Sequence, residues 1–262
     1  MKHIMAAVLI SSFIVQYLPA QDQAKPVTEQ YLSLPPSWDD RIIYYHGFDK
    51  TPQEPEINLK GLKIMCTSPK TVDDGIFGKA LSCDPKQPFR INGEALSVSK
   101  PLTFMTWWRL DEDMKEETCF HLITLSGKGI ISNFVRGKGE WCALKEPTYI
   151  SQIHGFGSIP NHNNPWGGRA FFEKGQWHHC AISVGNANEV KIYWDGKLKE
   201  LIMAKGRKFA PDDVSVAEFG TNWLSHPMSI DEIIIVDRTL SEDEISEYVN
   251  ALESLQRLTQ KP

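Results

Sequence analysis

The sequence predicts an all-β fold: two antiparallel sheets packed as a sandwich, with one amphipathic helix at the C-terminus. Three observations carry this. Seven short runs rich in β-branched and aromatic residues alternate in polarity, at 41–48, 101–110, 119–125, 149–156, 178–184, 189–194 and 228–236. Turn signals stand between them, at Asp74-Gly75, Asn92-Gly93, Gly127, Gly137, Gly139, Gly167-Gly168 and Asp195-Gly196. No segment of helical period intervenes before residue 241, so there is no βαβ alternation, and strands at such spacing form antiparallel sandwiches.

The first twenty residues, MKHIMAAVLISSFIVQYLPA, read as a secretory signal. Lys2 and His3 form the basic start, Ile4 to Tyr17 the apolar core, and Leu18-Pro19-Ala20 the small-residue cut. The apolar run is short for crossing a bilayer, no Cys follows it for a lipid anchor, and no other long apolar run occurs. The expected product is therefore secreted, periplasmic or displayed at the cell surface, with no membrane span in the mature chain. Residues 21–40 are polar, Pro-bearing and aperiodic, which reads as a flexible linker before a domain over 41–262.

A chain of 262 residues, 41% hydrophobic with eight Trp and twelve Phe, supports one large β-rich core. Its net charge of −5 argues against nucleic acid, which requires a basic face. Export would make the five cysteines candidates for disulfides. None sits in a C-x-x-C pair, so zinc is a poor fit. Cys66 with Cys83, and Cys119 with Cys142, are each spaced to close a local loop, while Cys180 lies in an apolar strand and reads as a buried thiol.

The stretch Trp177-His178-His179-Cys180-Ala181-Ile182-Ser183-Val184 invites a metal or catalytic reading. As a strand it cannot supply one. Neighbouring residues point to opposite faces, so His178 goes with Cys180, Ile182 and Val184 towards the core, and His179 goes with Trp177, Ala181 and Ser183. Helical zinc sites place two His four apart on one face, and no acid–base partner is evident here from pattern. After a turn at 185–188, Val190, Ile192 and Trp194 alternate again, and Asp195-Gly196 makes a hairpin turn. By the same alternation at most one of Trp107 and Trp108 is core, leaving the other for a concave face or a partner surface. At the end, Ser241 and Glu244 form a capping box, followed at helical spacing by Ile245, Tyr248, Val249, Leu252, Leu255 and Leu258.

The run WHHCAISVGNANEVKIYWDGK resembles the signature of LamG-like, concanavalin A-like jelly-roll domains. Three further segments resemble that family's motifs in order: Tyr45-His46-Gly47-Phe48-Asp49, Gly75 to Leu81, and Ile230-Asp231-Glu232-Ile233 with Asp237 to Ser241 and Glu244-Ile245. The resemblance covers about residues 41–250. It implies two curved antiparallel sheets, often a structural calcium ion, and adhesive functions: binding of sugars, glycosaminoglycans or proteins. For calcium it suggests Asp49 and Asp231 as carboxylate ligands and Gly78 as a carbonyl ligand. The residues themselves add that Asp231 interrupts an apolar strand, where a buried carboxylate needs a partner, although an outward-facing one needs none.

For ligand contact the richest segment runs from Ile159 to Arg169. Asn161, His162, Asn163, Asn164 and Arg169 offer donors and acceptors to sugar hydroxyls, and Trp166 offers a stacking face. A loop held by a rigid sandwich is a usual place for function, though Asn, Pro and Gly are also ordinary turn residues. Trp141 and Trp223 are weaker candidates. Related glycosidases would place two carboxyl groups about 5 Å apart on one strand face. No Glu-x-Asp-x-Glu strand is present, Asp231 and Glu232 are adjacent, Asp39-Asp40 precede the first strand, and Glu242 to Glu244 open a helix. There is no G-x-S-x-G elbow and no phosphate loop. The expectation is a non-catalytic module that binds a polysaccharide or glycoconjugate. The alternatives are a structural or protein-interaction domain at the cell surface, or a divergent glycosidase.

Overall fold

The computed structural model describes residues 34–35, 38, 40–66, 68–83, 88–98, 100–113, 119–136, 148–154, 162–166, 173–185, 189–203, 209, 213–222 and 227–259. The expected signal segment, most of the 21–40 linker, Trp141, Cys142, Asn161, Arg169 and Trp223 lie outside them.

Sixteen strands are described. The first eight are β1 Ile42–His46, β2 Ile57–Asn58, β3 Lys63–Ile64, β4 Lys70–Val72, β5 Ala80–Ser82, β6 Phe89–Asn92, β7 Leu102–Leu110 and β8 Cys119–Ser126. The rest are β9 Ile130–Arg136, β10 Thr148–His154, β11 His162–Trp166, β12 Trp177–Val184, β13 Glu189–Trp194, β14 Lys197–Met203, β15 Val216–Asn222 and β16 Met228–Val236. One α-helix is described, α1 at Glu242–Thr259. Sheet I runs β14-β13-β12-β7-β16-β1-β2, with β5 also beside β16 and β4 beside β5. Sheet II runs β11-β10-β9-β8-β15-β6-β3. Each of these pairings is antiparallel, so the expected sandwich is the fold.

Between the sheets, Trp108, Cys180, Ile182, Ile192, Trp194 and Ile230 of sheet I meet Phe120, Ile123, Ile131, Val135 and Phe219 of sheet II. A second apolar layer covers the other face of sheet I. There Trp107, Ala181, Tyr193 and Ile234 pack under Ile245, Tyr248, Val249 and Leu252 of α1. The helix begins as expected: the Glu244 amide donates to Ser241 Oγ at 3.3 Å, and the Ser241 amide donates back to Glu244 Oε2 at 2.9 Å. Trp38 is fully buried, its ring 5.5 Å from that of Tyr248. The packed domain thus takes in part of the segment that the sequence suggests as linker.

Three expectations need correcting. Trp107 and Trp108 are both core, at 1% and 0% exposure. Alternation does put them on opposite faces, but both faces of sheet I are covered, one by sheet II and the other by α1. The Asn-rich segment read as a loop is instead strand β11, the edge of sheet II, with Gln152 opposite Asn163 and Ile150 opposite Pro165. An edge strand pairs on one side only, which is where proline is tolerated in a sheet. The loop-closing disulfide Cys66–Cys83 is not formed, and Cys83 and Cys180 are thiols, while Cys142, the candidate partner of Cys119, lies outside the described residues. Cys66 follows β3 of sheet II and Cys83 follows β5 of sheet I, so the two are carried by different sheets and line one small pocket of about 190 Å³ without bonding.

Candidate functional site

The doubled histidine is enclosed within the fold. His178 and His179 do face apart. The His178 ring lies 5.4 Å from that of Trp108 and 5.3 Å from that of Trp194, inside the sandwich. The His179 ring lies 5.4 Å from that of Trp107 and 5.7 Å from that of Tyr248, under the helix. The acid partner invisible in the pattern is Asp195, seventeen residues on. His178 Nδ1 is 2.9 Å from Asp195 Oδ2, and the His179 amide donates to Asp195 Oδ1 at 2.8 Å. Asp195 and Gly196 both have positive φ, 45° and 76°, as a two-residue hairpin turn of this hand requires. One turn carboxylate therefore clasps two successive residues of the neighbouring strand. Both rings are enclosed, and burial pushes the His179 imidazole down to about 4, so it stays neutral at ordinary pH.

The residues suggested for calcium do converge, around the Gly75–Lys79 segment. Asp231 Oδ2 accepts from the amides of Ile76 at 3.0 Å and Phe77 at 3.5 Å, and its Oδ1 accepts from the Glu232 amide at 2.8 Å. Asp49 Oδ1 accepts from the Lys79 amide at 2.8 Å, and the Gly78 carbonyl accepts from the Gly75 amide at 2.9 Å. The two glycines explain the fit. A Cβ on Gly75 would run into the Asp231 carboxylate, and one on Gly78 into that of Asp49, so only glycine lets the backbone come this close. Gly78 also has φ +70°, a conformation that favours glycine. A bulge in β16 between Asp231 and Ile234, with Glu232 at φ 52°, places two adjacent acids inside the protein.

Asp231 and Glu232 are both fully buried. The water-facing alternative for Asp231 does not hold. Glu232 accepts from the Tyr45 hydroxyl at 3.1 Å. Burial pushes the Asp231 carboxyl well above the usual carboxylate range, and the charges of Glu232 and Asp49 push the same way against the amides of Glu232 and Phe77. Among the described residues no lysine, arginine or histidine forms an ion pair with Asp231. Hard oxygens with excess negative charge fit a hard divalent cation. The set is lean, however: among the described residues no three His, Cys, Asp or Glu side chains stand together as a metal cluster, so backbone carbonyls and water would have to complete the shell.

Sequence reasoning missed two features. Glu56 Oε2 sits 3.5 Å from His46 Nδ1 and accepts from the Gly47 amide at 2.9 Å, so two neighbours of the first strand's Gly-Phe-Asp turn are fixed by an acid ten residues on. The second is a cleft of about 600 Å³ at the ends of β7, β12 and β16, built round Arg109. Its sequence signal is an arginine near the end of a largely apolar strand. Of the residues suggested for ligand contact, His162, Asn163, Asn164 and Trp166 fall within β11.

Residues 86–246 match the model of a family described as the concanavalin A-like lectin/glucanases superfamily, over more than half of the chain. The chain belongs to that superfamily. No curated protein matches it. Among solved structures it is similar to domain 4 of AbnA, a GH43 extracellular arabinanase from Geobacillus stearothermophilus, in complex with arabinotriose. The identity there is 22% and the TM-score 0.56, over 80% of this chain and 98% of that one. It is similar too to the binding domain of botulinum neurotoxin DC in complex with SialylT, at 14% identity and TM-score 0.60 over 81% of this chain, and in complex with rat synaptotagmin II, at 12% identity and TM-score 0.58 over 82%. The chain spans about half the length of those toxin domains, 52% in each. These likenesses concern the fold.

Proposed function

We propose that this superfamily member is an exported, non-catalytic module that binds carbohydrate, with calcium as a structural ion. The observation that carries the reading is the match of the sandwich to nearly the whole of an arabinanase domain solved with a bound arabinotriose. The expected leader at residues 1–20 supports export, and the surface of the sandwich, including the amide-bearing edge strand β11, would supply ligand contacts. Calcium would be held by Asp49, Asp231 and the Gly78 carbonyl. Its chemistry there is charge compensation of buried carboxylates, tying the start of the domain to its last strand. Binding would work by complementarity of hydroxyl, amide and carboxylate groups with no covalent step. A screen of the mature chain against polysaccharides, with calcium and with chelator, tests this. Saturable binding without release of reducing ends is the expected result. Release of reducing ends that is lost on changing one carboxylate would replace the reading with a glycosidase.

A protein-binding reading is favoured by one observation, the similar neurotoxin domain solved with rat synaptotagmin II. Silence towards glycans together with a defined protein partner would establish it.

A further inference from the structure

The Arg109 cleft is lined by Val72, Asp74, Asp111, Lys174, Trp177 and Gln256, among others. Its volume of about 600 Å³ lies within the range of about 300–1,000 Å³ typical of small-molecule sites. The Arg109 side chain is nine-tenths buried and organises the walls. Its Nη1 donates to the Asp74 carbonyl at 3.0 Å and to Asp74 Oδ2 at 2.6 Å. Its Nε donates to Asp111 Oδ1 at 3.1 Å, and Nη2 lies 3.1 Å from that same oxygen. Asp111 is held from its other side by the Ser229 hydroxyl, which donates to Oδ2 at 2.8 Å. The guanidinium also rests 4.8 Å from the centre of the Trp177 ring, which fixes its plane.

Two consequences follow for what can bind. Among the described lining residues, Arg109 and Lys174 carry two positive charges and Asp74 and Asp111 two negative ones, so these groups balance and favour an ion of neither sign. It is nevertheless dense in directional groups. Asp74 is held at one oxygen while 71% of its side chain remains exposed, which leaves a positioned acceptor facing solvent. Lys174 is exposed beside it as a donor. The Trp177 ring is 8% exposed, so it braces the arginine and offers no open face for stacking.

We propose that this cleft is the binding seat for a neutral oligosaccharide, whose vicinal hydroxyls would pair with the Asp74 carboxylate and the Lys174 ammonium. The proposal rests on the carbohydrate-binding reading and adds the place and the charge class of the ligand. Because the Arg109 network is complete without a ligand, the acceptors are positioned in advance, and little ordering is required on binding.

The experiment is calorimetric titration of the full chain with arabinotriose, maltotriose and sialyllactose. Wild type, Asp74→Asn and Lys174→Ala are compared, with Lys60→Ala in a separate cleft as control. The expected result is saturable binding of a neutral trisaccharide that weakens at least tenfold in both cleft variants and is unchanged in the control. Equal binding in wild type and both cleft variants would overturn the cleft as the seat while leaving the carbohydrate reading in place. Selective binding of sialyllactose would overturn the neutral-ligand assignment. Failure of all three sugars, and of the polysaccharide screen, would remove both.

Discussion

Two groups of charge lie side by side in sheet I and are solved in opposite ways. Around Arg109 a buried cation is flanked by two carboxylates, and each charge has its counter-charge within the chain. Around Asp231 the buried charges have one sign: Asp231 and Glu232 are fully buried, Asp49 is close by, and Asp231 itself accepts from backbone amides. The two groups meet in one short segment, where Asp74 turns to Arg109 and the residues just after it turn to Asp231. The same chain closes one polar site with its own counter-charges and holds the neighbouring Asp231 carboxylate with backbone amides. An unbalanced buried carboxylate costs several kcal/mol unless the environment supplies the opposite charge.

The comparison is broken most severely at the balanced site. Arg109→Met should lower unfolding stability by about 3 kcal/mol in urea denaturation, because two carboxylates and a backbone carbonyl lose their donor; a change under about 1 kcal/mol would mean that the network is ornamental. At the unbalanced site, calcium at a hundredfold excess over its dissociation constant should raise stability by about 2.7 kcal/mol. Excess chelator should remove the gain, and Asp231→Asn should not show it. A melting temperature indifferent to calcium and chelator would withdraw the ion.

A finer test uses pH. Burial raises the Asp231 pKa in the folded state, so the stability this group contributes is present below its unfolded value and is lost as pH rises through the folded value. In chelator, wild type should therefore gain stability relative to Asp231→Asn as pH is lowered from 7 to 5, and added calcium should abolish that gain. A difference flat in pH would show that Asp231 titrates normally. The smallest effect belongs to Asp74→Asn. Its carboxylate is mostly exposed and should contribute no more than about 0.5 kcal/mol, so a larger loss in thermal or chemical unfolding would contradict the division between structural Arg109 and ligand-facing Asp74.

What was legible in the sequence is what depends on neighbours in the chain. The opposed faces of His178 and His179, the Asp195-Gly196 turn and the Ser241–Glu244 cap follow from spacing of a few residues, and all are in the structure. Burial of Trp107 was not legible, because alternation tells which side a residue faces and says nothing of whether a helix will later cover that side. The edge strand β11 was misread since Asn, Pro and Gly carry the same chemistry in turns as at an edge. Arg109 and Asp74 are 35 positions apart, and Asp231 stands 155 from the amide it accepts, so neither cluster has a local signature. The Asp49, Gly78 and Asp231 set came from family resemblance, with the acid inside an apolar strand as a local hint for Asp231.

The Asp195 clasp has a bearing on how this sandwich assembles. A strand displaced by one position presents every side chain to the wrong side, and in a sheet covered on both faces that error would still bury apolar groups, so hydrophobicity alone corrects it poorly. A turn carboxylate that recognises one imidazole nitrogen and the following peptide N–H can be satisfied in a single alignment only. The hairpin thus carries its own gauge, and the two imidazoles, enclosed on either side of the sheet, mark where that alignment is read.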